Sequence, residues 1–191
     1  HNVDVLVLVE CPIPEAQMLR GLNRSGTGLF RLCGPLKGQD IQVYSRLPAH
    51  NLIPVLDMPP HLSLYQVVGG NGRQVLLAAV HLKSKMWRTD ADQRKGAEDV
   101  IQEIMKHEGP GKRSIVIGDF NMNPWEEGMI NANAFHAVMS RKDAQRNRSI
   151  DNAQFSPYYN PMWGLLGDRE GRAPSTYRRT GGGVLSFLAH V

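Results

Sequence analysis

Short apolar runs along the chain break off into polar residues, and they carry two different periods. Val3 to Val9 (VDVLVLV) is rich in β-branched residues and predicts a buried strand. Glu10 follows directly, and Cys11-Pro12-Ile13-Pro14 stops the strand. Residues 15–22 suit a short helix, and 26–38 a loop with a strand around Leu29 to Leu32. Ile41 to Arg46 alternates as a half-buried strand does, and Pro48 ends it. Leu62 to Val68 and Gln74 to Leu82 predict two strands joined at Gly69-Gly70-Asn71-Gly72, a strong hairpin signal.

The period then changes. In Asp90 to His107, the residues Ala97, Val100, Ile101, Ile104 and Met105 fall on one helical face. Asp90 is the expected cap, with Gln93 as its capping-box partner, and Gly109-Pro110-Gly111 ends the helix. Ser114 to Ile117 reads as another buried strand, and Pro124 to Met139 as a helix. Beyond Asp151 the pattern weakens into aromatic-bearing loops and a Gly181-Gly182-Gly183 run. With no repeat and no linker, residues 1–191 are expected to form a single α/β or α+β domain.

Composition changes this picture little. Hydrophobic residues make up 41% of the chain, enough for a real core, and charged residues 21%, too few for a disordered one. The net charge of +4 is compatible with an anionic substrate such as a phosphate ester or nucleic acid. The densest basic stretch, Arg141 to Arg148, reads first as a solvated face. Cys11 and Cys33 form no CxxC pair, which argues against zinc. Two cysteines make no disulfide framework either, so a reducing compartment is the default and the cytoplasm is favoured. No run reaches the roughly 18 apolar residues of a membrane span. A monomer is expected.

Candidate chemistry sits where apolar strands stop. Glu10, His81, and the pair Asp119 and Asn121 lie at or near three strand ends. A hard cation such as Mg²⁺ takes carboxylate oxygens and keeps several waters, which suits Glu10. Asp119 and Asn121 are two apart, a spacing that puts both on one face of extended backbone. One can then orient or deprotonate water while the other donates to a phosphate oxygen, and His81 can donate to a phosphoryl oxygen as charge builds there. Each has a plainer reading: a solvated strand-end carboxylate, a structural histidine, turn formers. Tyr158, Tyr159 and Trp163 suggest base stacking, but loop packing onto the core is favoured. Lys83, Lys85, Arg178 and Arg179 are explained as well by solvation as by phosphate contact.

Three segments, VDVLVLVE (3–10), VHLKSK (80–85) and IVIGDFNMNP (115–124), resemble the endonuclease/exonuclease/phosphatase superfamily, whose best-known members are DNase I and the exonuclease-III-type abasic-site endonucleases. YSRLP (44–48), the hairpin before His81 and the helix from Asp90 add support. The likeness runs in order over most of residues 3–140, and GDFN followed by NP is its specific part. It implies a DNase I-like four-layered sandwich of two packed mixed β-sheets flanked by helices. It also implies hydrolysis of phosphoesters with Mg²⁺ or Mn²⁺. By position, Glu10 would bind the metal, Asp119 would activate water, Asn121 would bind the scissile phosphate and hold Asp119, and His81 would contact the phosphate region. Members of the superfamily begin with an asparagine-bearing strand and end in Ser-Asp-His. The sequence contains neither, and His190 lacks a preceding acid, so the likeness leads one to expect a domain short at both ends or diverged at its tail. Two alternatives follow: a binding module that keeps the fold without turnover, and a phosphomonoesterase acting on lipid or nucleotide phosphates.

Overall fold

A computed structural model of the chain describes residues 3–24, 26, 29–34, 40–86, 88–109, 114–146, 148–150, 153–165 and 188–189. A three-stranded antiparallel sheet is formed by β1 (Val5–Val9), β2 (Arg31–Gly34) and β3 (Ile41–Ser45), in the order β1-β3-β2. The helix α1 (Glu15–Leu22) contacts β2. A five-stranded mixed sheet holds β4 (Leu52–Met58), β5 (Leu62–Val68), β6 (Gln74–His81), β7 (Ser114–Asp119) and β12 (Leu188–Ala189), in the order β12-β7-β6-β5-β4. The helix α2 (Asp90–His107) crosses from β6 to β7, and these two strands are parallel.

The two sheets pack face to face. Ile41 and Val43 of β3 meet Tyr65 of β5 and Leu77 and Ala79 of β6, with Ile115 and Ile117 of β7 beside them. The opposite face of the five-stranded sheet presents Leu76, Ala78, Val80 and Val116 to Ala97, Val100, Ile101 and Ile104 of α2. Each large aliphatic side chain fully buried there stabilises the fold by roughly 1.5–3 kcal/mol. A strand's period of two lets one sheet serve both cores.

Several elements differ from expectation. β1 is half-buried throughout rather than buried, because among the described residues it is the edge of its sheet. Thr89, not Asp90, caps α2: its side chain accepts from Asp92 N (3.2 Å), and the Asp92 carboxylate accepts from Thr89 N (2.9 Å). Met105 is 48% exposed, lying about 80° around the helix from Ala97 at 100° per residue, off the edge of the apolar stripe.

The helix expected over Pro124 to Met139 is only the single turn α3 (Glu127–Ile130). Asn131 ends it: its backbone carbonyl accepts from Ala134 N and His136 N, and its side chain accepts from Asn133 N. β8 (Ala137–Val138) follows and pairs in parallel with β11 (Tyr158–Tyr159). Between them lie α4 (Arg141–Ala144), β9 (Arg148–Ile150) and β10 (Ala153–Phe155). Tyr158 packs against the α2-side core and Met162 is buried in it, in keeping with the loop-packing reading. Arg178, Arg179, the triple-glycine run and His190 lie outside the described residues.

Candidate functional site

The period of two places the site. His81 continues the series Leu77, Ala79 along β6, and Asp119 continues Ile115, Ile117 along β7. The parallel register pairs His81 with Asp119, so both side chains stand side by side at one end of the sheet, facing the three-stranded layer. Gly118 permits this closeness. Its φ is +142°, and a Cβ there would lie 1.9 Å from the Val80 carbonyl oxygen, so no other residue fits without displacing β6.

From the facing layer comes Glu10, just past β1. Its φ is +51°, in the left-handed region, at a cost of roughly 1–3 kcal/mol for a residue with a Cβ. Its N–H donates to the Asp40 carbonyl (2.8 Å). The His81 ring lies between two carboxylates: Nε2 is 3.4 Å from Glu10 Oε1, and Nδ1 is 3.5 Å from Asp40 Oδ2. The second contact attracts a charged ring but lacks hydrogen-bond geometry. The His81 side chain is 11% exposed, against 66% for Glu10 and 52% for Asp40, so the carboxylates open to solvent while the ring is held beneath them.

Asp119 and Asn121 do converge, but not on extended backbone as their spacing suggested. β7 ends at Asp119, and Asn121 has φ +51°. The Asp119 carboxylate accepts the Asn121 N–H (2.8 Å), closing a turn of the kind Asp favours. Phe120 and Met122 drive the turn by plunging into the α2-side core, where Phe120 meets Phe135 edge to face at 5.0 Å. The Asn121 side chain then donates to the Leu82 carbonyl (2.7 Å), while Leu82 N donates to the Asp119 carbonyl (2.8 Å). An amide has two N–H donors, so one remains.

Burial lifts the Asp119 carboxyl above the ordinary aspartate value. The Asn121 N–H and the nearby His81 pull it back, and Glu10 adds to the rise. A carboxylate so placed is a stronger base than one in water.

Three residues of this network stood outside the candidate set. Asp40 lies beside His81, and its only sequence signal is an acid immediately before a buried strand. Gln93, expected to cap α2, is buried and donates to the carbonyls of Asn121 (2.9 Å) and Lys83 (3.3 Å), tying both site loops to the helix. His61 Nδ1 meets the His81 carbonyl at 2.9 Å, and the His81 N–H donates to the His61 carbonyl.

Glu10 offers the exposed oxygen donor that a hard divalent cation takes, and such an ion draws its other ligands largely from water and substrate. No group of three acidic, histidine or cysteine side chains able to hold a metal occurs among the described residues. The Glu10 carboxylate could hold such an ion in a carboxylate-plus-water site. No helix among the described residues is long and apolar enough to cross a membrane.

No protein-family model matches the sequence, nor does any curated protein. Solved structures do match. The human Nocturnin catalytic domain with bound sulfate superposes with a TM-score of 0.59 at 18% identity, covering 98% of this chain and 68% of that one. The fold is DNase I-like. The same DNase I-like fold appears in D. rerio TDP2 complexed with a single-strand DNA product, at TM-score 0.54, 18% identity and coverages of 98% and 69%. A D. rerio TDP2 humanized by 14 mutations matches at TM-score 0.51, 16% identity and coverages of 98% and 70%. At these identities the likeness speaks for the fold and leaves the chemistry to the site.

Proposed function

We propose that the protein is a metal-dependent phosphoester hydrolase, using Mg²⁺ or Mn²⁺, and acts as a phosphodiesterase on nucleic acid. The observation that carries this reading is the convergence of Glu10, His81, Asp119 and Asn121 at one end of two packed sheets, two of them on left-handed backbone. Such strain collects where a site demands a particular geometry. The fold is shared with a protein solved with a DNA product and with one solved with sulfate, a phosphate-shaped anion, and this supports the substrate class.

The geometry supports the following roles. Asp119, raised by burial, orients and deprotonates a water for in-line attack on phosphorus. The free N–H of the Asn121 amide donates to a phosphate oxygen, and its backbone N–H fixes the Asp119 carboxylate. His81, with the Asp40 carboxylate beside its other ring nitrogen, donates to a phosphoryl oxygen as charge builds there. Glu10 would hold the divalent cation, which when bound neutralises developing charge on the phosphoryl oxygens.

Hydrolysis of DNA, RNA and phosphomonoesters, measured with Mg²⁺ and with EDTA, tests the proposal. Turnover should require the metal and fall by about 10³-fold or more in Asp119→Asn. An unchanged metal-dependent rate in that variant would show the mechanism to be wrong. Binding of oligonucleotides without turnover by the wild type would replace it with the binding-module reading.

A further inference from the structure

The site end carries an exposed aromatic ring that none of these steps uses. Trp125 stands four residues past Asn121, in the loop that leaves the catalytic strand, and is 53% exposed. Its ring centroid is 6.2 Å from that of Trp163, tilted by 52°. Trp163 is partly buried and its Nε1 is sealed from solvent, so it backs the pair while Trp125 forms the outer face. Lys85, in the loop that leaves His81, pairs with Glu126 and ties the two site loops together beside Trp125. Lys83, Lys85, Met86 and Arg88 of that loop are all exposed, Met86 at 70%.

We propose that Trp125 is a specificity-determining residue that stacks on a base of a single-stranded nucleic acid, flanking the phosphate held at Asn121. This rests on the reading of the site as a phosphodiesterase. Four residues of chain span at most about 14 Å, which keeps the ring within the reach of a neighbouring nucleotide. A ring with one open face, on a rim that also carries exposed lysine and arginine, is how sequence-tolerant single-strand binding is built: the cations track the backbone and the π-face takes the base. The apolar groups on this rim also resemble a membrane contact. They are one ring and one methionine, each next in sequence to a member of the Lys85–Glu126 ion pair, and inserting them into lipid would desolvate the exposed Lys85 ammonium. Stacking needs one open π-face and leaves the Lys85 ammonium in water.

The test is binding of fluorescein-labelled oligothymidylate in EDTA, where hydrolysis is silent, set beside an abasic strand of equal length and charge. Trp125→Ala should weaken oligothymidylate roughly 5- to 150-fold and leave the abasic strand unchanged, with Trp125→Phe close to wild type. The phenylalanine variant keeps a ring against Trp163, so a folding defect in the alanine variant does not decide the outcome. The proposal is overturned if the wild type binds both strands equally or if Trp125→Ala leaves oligothymidylate affinity intact. It is also overturned if Trp125 governs binding to phosphatidylcholine/phosphatidylserine vesicles instead. Trp125-dependent binding without metal-dependent hydrolysis supports the stacking role and sinks the catalytic reading. Hydrolysis with base-independent binding does the reverse.

Discussion

The two ends of β7 are built from similar polar material and do opposite things with it. At its start, the Ser114 hydroxyl bonds the Glu108 carboxylate and meets the Tyr158 hydroxyl at 2.7 Å, and Tyr158 donates to the same carboxylate at 3.1 Å. These groups line a largely apolar cavity of about 510 Å³ but satisfy one another, and burial pushes the Tyr158 hydroxyl well above the ordinary tyrosine value. At its end, Gly118 and Asn121 sit on unusual backbone on either side of Asp119, next to two carboxylates that open to solvent. Their hydrogen bonds hold the groups in place and leave capacity unspent. A closed network stabilises a fold, whereas one with spare donors and acceptors is ready for a ligand.

The largest effect is expected at Gly118. Gly118→Ala puts a Cβ 1.9 Å from the Val80 carbonyl oxygen, and no flexible side chain is there to yield. The expected loss is at least about 4 kcal/mol, in the range that threatens folding altogether, and a thermal melt reads it. A folded, active Gly118→Ala would mean that β6 and β7 are not held as closely as described.

The closed end should respond in stability alone. Tyr158→Phe removes bonds to Ser114 and Glu108 and should cost about 1–2 kcal/mol, lowering Tm by roughly 2–8 °C with hydrolysis unchanged. A loss of rate at unchanged Tm would reverse the assignment of the two ends.

Much of this arrangement was legible in the sequence because apolar runs that stop abruptly at polar residues mark strand ends whatever the tertiary context. Glu10, His81 and Asp119 were visible for that reason, and α2 for its strong helical period. β4 was not. Pro54 interrupts it, and the strand tolerates Pro54 only because it is an edge with a bulge between Pro54 and Leu56. The short α3 was hidden because Asn131 competes for backbone N–H groups through local bonds that no periodicity reveals. Asp40 and Gln93 act across the fold, 41 and 28 residues from their partners His81 and Asn121 by number, and only packing brings them together.

The smallest effect is expected at Asp40. Asp40→Asn keeps the shape beside His81 and removes the negative charge next to the ring. Turnover should fall about 10-fold with KM and Tm nearly unchanged, the mark of a positioning residue. An equal change in KM and no change in kcat would place Asp40 in substrate binding instead.

Asp119 would be placed for chemistry at a cost in stability, which one pair of measurements checks: Tm and metal-dependent hydrolysis of wild type and Asp119→Asn at neutral pH. Burial raises the folded-state value of this carboxyl above its unfolded one, so its ionised form destabilises the fold once pH exceeds the raised value. Removing the charge should therefore hold or raise Tm, and the Asn121 N–H keeps an oxygen acceptor in the new side chain. The rate should collapse by about 10³-fold or more. A variant that loses Tm and keeps its rate would show that Asp119 is there to hold the fold together, and would contradict the account.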